Sequence, residues 1–583
     1  MIELMTGKVI EGVSTIAHHL DTLPASEVII FDIAVILILS AIFAFVARML
    51  KQPLIPAYVL TGLVLGPLIF GVVKNLDLIN AFSEIGIAFL LFTAGLEISF
   101  RKIREANLKK IALIGVLQVG IIFGIAMALA GILGLSSLQA AYIGIILAFG
   151  STMVDIKLLA DRNELVTLHG RLVLGILLLQ DLVAIVAIVV FTSGGFAFVP
   201  LSLAFMKLGL ILLAAFLLQR FVLNKLFRFA AQSNEFLFLC SLAVLFLFII
   251  LAYISELSIV IGAFIAGVSL ANSPFKLELE SRISPLRDFF AILFFVALGM
   301  QLVFSGVGER LVLLGVLIFG AFLIKPIVTL VLLRITGYQP RTSFLTAISL
   351  AQLSEFSLII GGIGMMTGVL DASIFSTVIL ATIITMSVTP YFIKYKSGMY
   401  RFFRYPIRSL GFLPIREVMC YEDKRDKEIL LIGSHRMGGA LMEELLEDRD
   451  KLLVIDYNPE VIGVLMKKKV SCVYGDVCSP DMLEKINLKK LKLVISTIPD
   501  YEQTRYLIKK LKKVAPKAKV VVVGSRISET LKLYRAGADY VVTPKILAGQ
   551  ELVGILHEKK SGDLKKAKNK HLKHLRDIHK LLY

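Results

Sequence analysis

About thirteen apolar stretches follow one another through the first two thirds of the chain, and they restrict it to a polytopic membrane fold. A hydrocarbon core about 30 Å thick is crossed by a helix of roughly 20 apolar residues. Because 57% of the 583 residues are hydrophobic and only 18% are charged, a large soluble protein is excluded. The predicted spans are 28–50, 54–71, 77–99, 107–134, 137–160, 168–192, 199–221, 235–254, 256–272, 285–305, 311–336, 342–368 and 371–394.

The loops between these spans differ in charge, and this difference predicts the orientation of the chain. Arg101, Lys102 and Arg104 follow the third span, whereas the loop around Thr192–Gly195 carries no basic residue. By the positive-inside rule the N-terminus lies outside and the C-terminus in the cytoplasm. We therefore assign the net charge of +18 to topology and anionic lipids rather than to nucleic acid. Residues 1–27 are predicted to be an extracellular segment without a cleaved signal peptide.

One carboxylate lies in the middle of the sixth span. The apolar run Gly175–Val190 contains Asp181 and, beside it, the amide Gln180. A carboxylate at the centre of a spanning helix costs roughly 2.5–3.5 kcal/mol, and packing alone does not require it. We interpret Asp181 as an ion or proton site; the alternative is an aspartate that only hydrogen-bonds a neighbouring helix.

Polar residues interrupt two other spans at mid-depth. A broken helix frees carbonyl and N–H groups that can bind an ion, and an inverted repeat would place two such breaks in matching positions near the bilayer midplane. An ordinary helix whose hydroxyls bond its own turns is the alternative for the first interruption. The interrupting residues are Gly150, Ser151 and Thr152 in the fifth span, and Gln352, Ser354 and Glu355 in the twelfth.

Lys325 precedes Pro326 well inside the eleventh span. A buried ammonium needs a partner, for which Asp181 and Glu355 are the candidates; a side chain that reaches the interface is the alternative. The remaining membrane acids are ambiguous or lie near cytoplasmic ends, where structural pairing is as plausible as an ion-handling role: Glu84, Glu97 and Asp155.

After residue 394 the composition changes. Residues 395–426 form a basic linker, and from residue 427 short apolar runs alternate with helical patterns, which predicts a doubly wound, Rossmann-like parallel sheet over 427–548. Residues 549–583 form a basic tail. The predicted strands are Glu428–Gly433, Lys451–Asp456, Val470–Tyr474, Leu491–Ser496, Lys519–Gly524 and Asp539–Val542.

The membrane half resembles the second family of monovalent cation:proton antiporters, and in particular its Kef-type potassium/proton members. The resemblance rests on Gln180-Asp181, Ser151-Thr152, Ile261–Gly267, Phe294–Met300 and Ala351–Phe356. It implies an all-α domain of about thirteen helices with inverted repeats and two crossing broken helices that flank Asp181. It also implies a lysine, here Lys325, that interacts with the site carboxylate, a homodimer in the cell membrane, and an elevator movement.

The cytosolic half is similar to the RCK domain, also called KTN or TrkA-N. The motif Gly433-Ser-His-Arg-Met-Gly438 has His435 where the second glycine of a dinucleotide loop would stand, so the regulatory ligand is left open among NAD(H), AMP and ATP. A purely structural domain is the alternative. The predicted nucleotide-binding residues are Gly433, His435, Arg436, Gly438, Asp456 and Asp476.

These features predict a secondary antiporter, and no enzyme, in which a monovalent cation and a proton compete for Asp181. The groups predicted to form its site are Asp181, Gln180, Thr152, Ser151, Lys325 and Glu355. Potassium is preferred because the Gln-Asp pairing resembles that of the Kef-type members and because of the regulatory domain, and sodium is the close alternative. An RCK-gated potassium channel is a rival of another class, although the chain lacks the T-V-G-Y-G filter of such channels. No metal beyond the transported cation, and no catalytic cofactor, is expected.

Overall fold

The chain divides into two compact units, and the main division falls between Pro414 and Ile415. The computed structural model describes residues 25–50, 52–73, 76–97, 108–160, 164–165, 167–192, 198–271, 273–303, 308–409, 420–421, 427–434, 437–456, 459–475, 477, 490–498, 501–524, 526–544, 546–550 and 553. The first unit is helical, and the second contains a β-sheet with helices between its strands.

The helical unit contains an apolar segment at each predicted span. Over its described residues, nine helices are long and apolar enough to cross a membrane, and four shorter apolar helices account for the other predicted spans. The helices are α1 Ala25–Met49, α2 Leu54–Leu65, α3 Leu76–Glu97, α4 Leu108–Ile132, α5 Ser137–Ala148, α6 Thr152–Ala160, α7 Leu168–Thr192, α8 Phe198–Leu218, α9 Asn224–Ala230, α10 Asn234–Ile254, α11 Ile259–Leu270, α12 Lys276–Met300, α13 Leu311–Phe319, α14 Lys325–Ile335, α15 Pro340–Ser349, α16 Glu355–Met366 and α17 Ala372–Ser409.

The outer faces of these helices are apolar, as a lipid environment requires. Ile38 of α1, Leu113 of α4 and Leu210 of α8 are exposed, whereas polar side chains such as Gln118 and Thr329 are buried inside the unit. A surface of this kind is stable only when hydrocarbon covers it. The helix α17 continues to Ser409, past residue 394, where we placed the end of the last span.

Glycines allow pairs of helices to approach within backbone contact. A Cβ on Gly267 of α11 would lie 2.0 Å from the carbonyl oxygen of Phe92 in α3, and one on Gly299 of α12 would lie 2.0 Å from that of Val59 in α2. Small residues at such positions are the usual device of helix packing in membranes, where no hydrophobic force acts between helices. Both glycines lie in motifs that carried the family resemblance.

Two π-helical turns interrupt long helices. Gln219–Leu223 joins α8 to α9, and Gly320–Ile324 joins α13 to α14. Pro326 has no N–H and its ring would clash with the carbonyl of the preceding turn, so a widened turn is the local solution. The second π turn ends directly before Lys325 and therefore fixes the direction in which that side chain leaves the helix.

The second unit contains a seven-stranded sheet of order β1-β4-β3-β2-β5-β6-β7. Among the described strands, β1 alone is antiparallel to its neighbour, β4, and it lies at the edge of the sheet. The six predicted strands are confirmed to within two residues at each end, and β1, which lies inside the predicted linker, was missed. The strands are β1 Cys420–Tyr421, β2 Ile429–Ile432, β3 Leu452–Asp456, β4 Cys472–Tyr474, β5 Leu493–Ser496, β6 Lys519–Val523 and β7 Tyr540–Val542.

Both faces of this sheet are covered, which is the Rossmann-like arrangement expected. Along β2, Leu430 and Ile432 pack in one apolar cluster with Leu507 and Leu511, whereas Leu431 packs in another with Ile462. Alternate residues of a strand point to opposite faces, so each face has its own helical layer. The covering helices are α18 Met437–Leu445, α19 Pro459–Lys467, α20 Tyr501–Val514 and α21 Ile527–Arg535.

Candidate functional site

The first predicted interruption is a real break between α5 and α6. Phe149 has an extended backbone (φ −88°, ψ 147°) and ends α5. Ser151 starts the next turn, because its hydroxyl accepts a hydrogen bond from the N–H of Val154 at 3.3 Å. The short polar side chain offers an alternative to the helical ladder, and this favours a new helix start at this position.

The second predicted interruption breaks the twelfth span between α15 and α16. Ser354 is extended (φ −110°, ψ 159°), and its hydroxyl accepts a hydrogen bond from the N–H of Phe356 at 3.1 Å. The hydroxyl of Ser357 accepts in turn from the N–H of Ser354 at 3.3 Å, which completes a capping box. Glu355 is the first residue of α16 and is 5% exposed, so its carboxylate lies at the positive end of a helix dipole.

The two breaks contact each other. The side-chain amide of Gln352 donates to the backbone carbonyl of Ser151 at 3.3 Å and to Oδ1 of Asp155 at 3.0 Å. The hydroxyl of Ser357 donates to the carbonyl of Ile146 at 2.7 Å. The pair of breaks therefore forms one crossing, with helix ends of both polarities at its centre.

Asp181 lies against this crossing on α7 and is 7% exposed. The hydroxyl of Thr152, the first residue of α6, donates to its Oδ1 at 3.2 Å and its Oδ2 at 3.1 Å. The carboxylate thus faces the interrupted helix, as we expected from the sequence, and it does not point to lipid. A buried carboxylate with a hydroxyl beside it can accept either a proton or a dehydrated cation.

Gln180 connects the crossing to two further helices. Its side-chain carbonyl accepts from the N–H of Gly150 at 2.8 Å, and its amide donates to Oε1 of Gln118 at 3.1 Å. Gln118 donates in turn to Oγ1 of Thr329 at 2.6 Å. All three polar side chains of this chain of bonds are fully buried. Sequence reasoning missed Gln118 and Thr329, which are polar residues with apolar neighbours on both sides in the sequence.

Lys325 lies at the centre of the crossing and is fully buried. Its ammonium donates to the carbonyl of Phe149 at 2.5 Å and to that of Gln352 at 2.7 Å, one carbonyl from each break. We expected Asp181 or Glu355 as its acidic partner, but the acid with which it interacts electrostatically is Asp155. The expectation was wrong because it counted Asp155 among the residues of a cytoplasmic helix end.

Asp155 is the residue that sequence reasoning placed least well. It is fully buried in the first turn of α6 and accepts a hydrogen bond from Gln352. The signal was present in its spacing, because Asp155 follows the Gly150–Ser151 interruption by one helical turn. A residue at that distance from a break belongs to the start of a half-helix and therefore faces the crossing.

In the second unit, the glycine-rich loop after β2 has the close packing of a dinucleotide fold. Gly433 has φ +81°, and a Cβ on Gly438 would lie 2.0 Å from the carbonyl oxygen of Gly433. Asp456 ends β3, and its Oδ2 accepts from the N–H of Ser434 at 2.7 Å and from its hydroxyl at 3.2 Å. Three of the predicted nucleotide-binding residues lie outside the described residues: His435, Arg436 and Asp476.

Comparisons with known proteins identify the family of each half of the chain. A family model described as "Sodium/hydrogen exchanger, transmembrane" matches residues 34–394, and one described as "TrkA-N domain" matches residues 429–544. The glutathione-regulated potassium-efflux system protein KefC of Klebsiella pneumoniae (strain 342) is 27% identical over 492 residues, which are 83% of this chain and 77% of that protein. KefC of Escherichia coli (strain K12) is 27% identical over 489 residues, with the same coverage.

Among solved structures, the fold is similar to that of the sodium proton antiporter MjNhaP1 from Methanocaldococcus jannaschii. The match has a TM-score of 0.51 and 16% identity, and it covers 68% of this chain and all of that one. The exchanger family model over residues 34–394 supports a carrier and not the channel that we kept as a rival. The breaks, the buried carboxylate and the family match lead to one assignment: the chain is a multi-pass membrane protein that belongs to the sodium/hydrogen exchanger family of cation:proton antiporters and carries a TrkA-N domain after its membrane helices.

Proposed function

We propose that this protein exchanges potassium ions for protons across the plasma membrane by alternate occupation of Asp181. The observation that carries the proposal is the contact of Thr152 with both carboxylate oxygens of Asp181 at the broken helix. One carboxylate cannot hold a proton and a cation at the same time, so each crossing of the membrane transports one or the other. The cation would take oxygens from Asp181, Thr152, Ser151 and Gln180.

An amide at position 180 supports a one-for-one exchange. Gln180 supplies a carbonyl without a second negative charge beside Asp181, so a single positive charge neutralises the site in either loaded state. Lys325 and Glu355 complete the charged groups around the crossing. Potassium is preferred because the curated relatives are potassium-efflux proteins by name, whereas the family model is described by sodium. Sodium is therefore the alternative cargo.

The test is proton flux in proteoliposomes to which K⁺, Na⁺ or Li⁺ is added in turn. The wild-type protein should release protons on addition of K⁺, and Asp181→Asn should abolish the response. Asp371→Asn provides the matched control, since Asp371 pairs with Arg310 at the surface, at 3.4 Å and away from the crossing. Undiminished flux through Asp181→Asn would refute the assignment of the site.

Thr152 offers a graded version of the same test. Thr152→Val removes the hydroxyl that donates to Asp181, and a hydrogen bond to a charged group contributes about 1.5–3 kcal/mol. We expect the apparent KM for the cation to rise by about tenfold or more. Thr152→Ser keeps the hydroxyl and should remain close to wild type. An equal effect of both variants would contradict a role for the hydroxyl.

The TrkA-N domain would regulate the exchanger through a bound nucleotide, for which NAD(H), AMP and ATP are the candidates. A nucleotide can shift the membrane unit between states only if it binds those states with different affinity. We assign residues 28–394 to the exchanger, 395–426 to the linker and 427–548 to the regulatory domain. We also propose a homodimer with its N-terminus outside and its C-terminus in the cytoplasm. Flux with and without each nucleotide tests the regulation.

A further inference from the structure

The crossing holds a charge arrangement in which Lys325 and Asp181 have different partners. Lys325 donates to one carbonyl from each break, and Asp181 accepts from Thr152. A buried ammonium that contacts only carbonyls still lacks a full negative counter-charge. A buried charge without such a partner is strongly destabilising, so an acid nearby is expected to supply it. The question is which acid supplies that charge.

Gln352 links Lys325 to Asp155 directly. Its backbone carbonyl accepts from the ammonium at 2.7 Å, and its side-chain amide donates to Oδ1 of Asp155 at 3.0 Å. The same residue therefore fixes both charged groups, and Asp155 interacts electrostatically with Lys325. Asp155 and Lys325 are both fully buried, so water does not screen this interaction.

Glu355 is the other buried acid at the crossing, but its charge has other support. Its carboxylate interacts with the hydroxyl of Ser151 and with the N–H of Met153, at the N-terminus of α6. The dipole of α6 stabilises an anion at this position. Asp155 accepts one hydrogen bond from Gln352, and its Oδ2, like Oε2 of Glu355, is buried with no hydrogen-bond partner among the described residues. What separates the two acids is that Asp155 interacts electrostatically with Lys325 and shares Gln352 with it.

We propose that Asp155 is the counter-ion that holds Lys325 away from Asp181, and so leaves Asp181 free for the transported ion. Asp155 would then be a positioning residue for the exchange, acting through Lys325 and not by contact with the cargo. The ammonium of Lys325 donates hydrogen bonds to carbonyls that the two breaks leave without a helical partner, and Asp155 prevents the lysine from turning to the site carboxylate. This proposal rests on the proposed exchange at Asp181.

The experiment is a double-mutant cycle on cation-driven proton flux with the full-length protein in proteoliposomes. Asp155→Asn keeps the acceptor for Gln352 but removes the charge, so Lys325 turns to Asp181 and competes with the cation. We expect the apparent KM for K⁺ to rise by about tenfold while the maximal rate changes much less, because saturating K⁺ displaces the lysine. A role in folding alone would not separate KM from the maximal rate in this way.

The second variant removes both charges. Asp155→Asn/Lys325→Gln has no competing ammonium, so its KM for K⁺ should be several-fold lower than that of Asp155→Asn, whatever the loss of Lys325 does to the maximal rate. Glu355→Gln is the matched control. It leaves Asp155 and Lys325 in place, so adding Lys325→Gln to it should not lower the KM for K⁺. If Asp155→Asn does not fold, the stability of Lys325→Gln is compared with that of the double variant. Lys325→Gln leaves Asp155 without its partner and should be the less stable of the two proteins.

Three results would overturn the counter-ion: an unchanged KM in Asp155→Asn, a double variant whose KM is no lower than that of Asp155→Asn, or an equal fall in KM when Lys325→Gln is added to Glu355→Gln. These outcomes differ from a failure of the proposed function. In that case the wild-type protein itself would show no proton flux on addition of K⁺, Na⁺ or Li⁺.

Discussion

The side-chain carbonyl of Gln180 accepts a hydrogen bond from the backbone N–H of Gly150 at 2.8 Å. This bond joins α7, which carries the site carboxylate, to the break between α5 and α6. The N–H belongs to the interrupted helix and would otherwise lack a partner inside the protein. The amide at position 180 is therefore a structural link as well as a neutral neighbour of Asp181.

Gln180→Glu should make the exchange sensitive to membrane potential. Glutamate keeps the length of the side chain and an acceptor for Gly150, but adds a negative charge beside Asp181, so that a further positive charge accompanies each cycle. Moving one charge across the membrane is worth about 2.3 kcal/mol per 100 mV. Flux measured with and without an imposed potential should differ several-fold for this variant and little for wild type. Gln139→Glu, which alters the capping residue of α5, is the control; equal sensitivity in all three proteins would contradict the argument.

Gly267→Ala should destabilise the helical unit. The new Cβ would lie 2.0 Å from the carbonyl oxygen of Phe92, a backbone atom that cannot move alone, so α3 and α11 must separate. Overpacking of this kind costs typically 1–3 kcal/mol, and more where backbone is displaced. The melting temperature of the purified protein is the measurement. Gly124→Ala in α4, where a Cβ meets nothing within 4 Å, should leave it unchanged or slightly higher; a similar loss in both variants would refute the close-packing account.

Glu164 predicts a specific response to acid. Burial raises the pKa of this carboxyl, but its hydrogen bond to His169 and the Lys396 ammonium outweigh burial and lower the pKa to about 2, from an ordinary 4.5. Since the folded pKa lies below the unfolded one, the contribution to stability is complete above about pH 4.5 and is lost as the pH falls toward 2. At full strength it is at most about 3 kcal/mol.

The measurement compares wild type with Glu164→Gln across this range. The two melting temperatures should differ most near neutral pH and converge as the pH falls below 4.5. His169 contacts Glu164 at 3.1 Å, and Lys396 donates to the same oxygen. A difference that does not change between pH 6 and pH 3 would mean that the carboxylate charge does not contribute to stability.

Gly438→Ala should abolish nucleotide binding by the TrkA-N domain. The Cβ would meet the carbonyl oxygen of Gly433 at 2.0 Å and push α18 away from the loop in which a phosphate would lie. Calorimetric titration of the full-length protein with NAD(H), AMP and ATP is the measurement. Gly463→Ala in α19, where a Cβ meets nothing within 4 Å, should bind as wild type does. Binding that survives in Gly438→Ala would place the nucleotide elsewhere.

Elements that depend on local pattern were predictable from the sequence. The apolar spans follow from hydropathy, and the strands after residue 427 follow from short apolar runs whose period differs from that of a helix. The breaks could be predicted because Gly150, Ser151 and Ser354 are disfavoured inside a helix, and the two serines are favoured at a helix N-terminus. The edge strand Cys420–Tyr421 was missed because two residues carry no period.

The contacts of Lys325 were beyond the sequence because they depend on how deep each residue lies after a break. Residues counted along a continuous helix advance 1.5 Å each, whereas extended residues advance about 3.3 Å, so a break shifts every position that follows it. Asp155 was therefore assigned to a helix end although it faces the crossing. The bond between Gln118 and Thr329 joins residues 211 positions apart, and no local pattern indicates such a pair.

The widened turn at Gly320–Ile324 has a consequence for the helix that follows it. One extra residue in a turn rotates everything downstream by about 100° around the helix axis, so the apolar stripe of α13 and the buried face of α14 need not share one line. The helix can thus offer aliphatic side chains to lipid along one half and aim a single ammonium inward at the start of the other. A lysine is tolerated in the middle of this apolar segment because the π turn just before it directs the side chain into the protein.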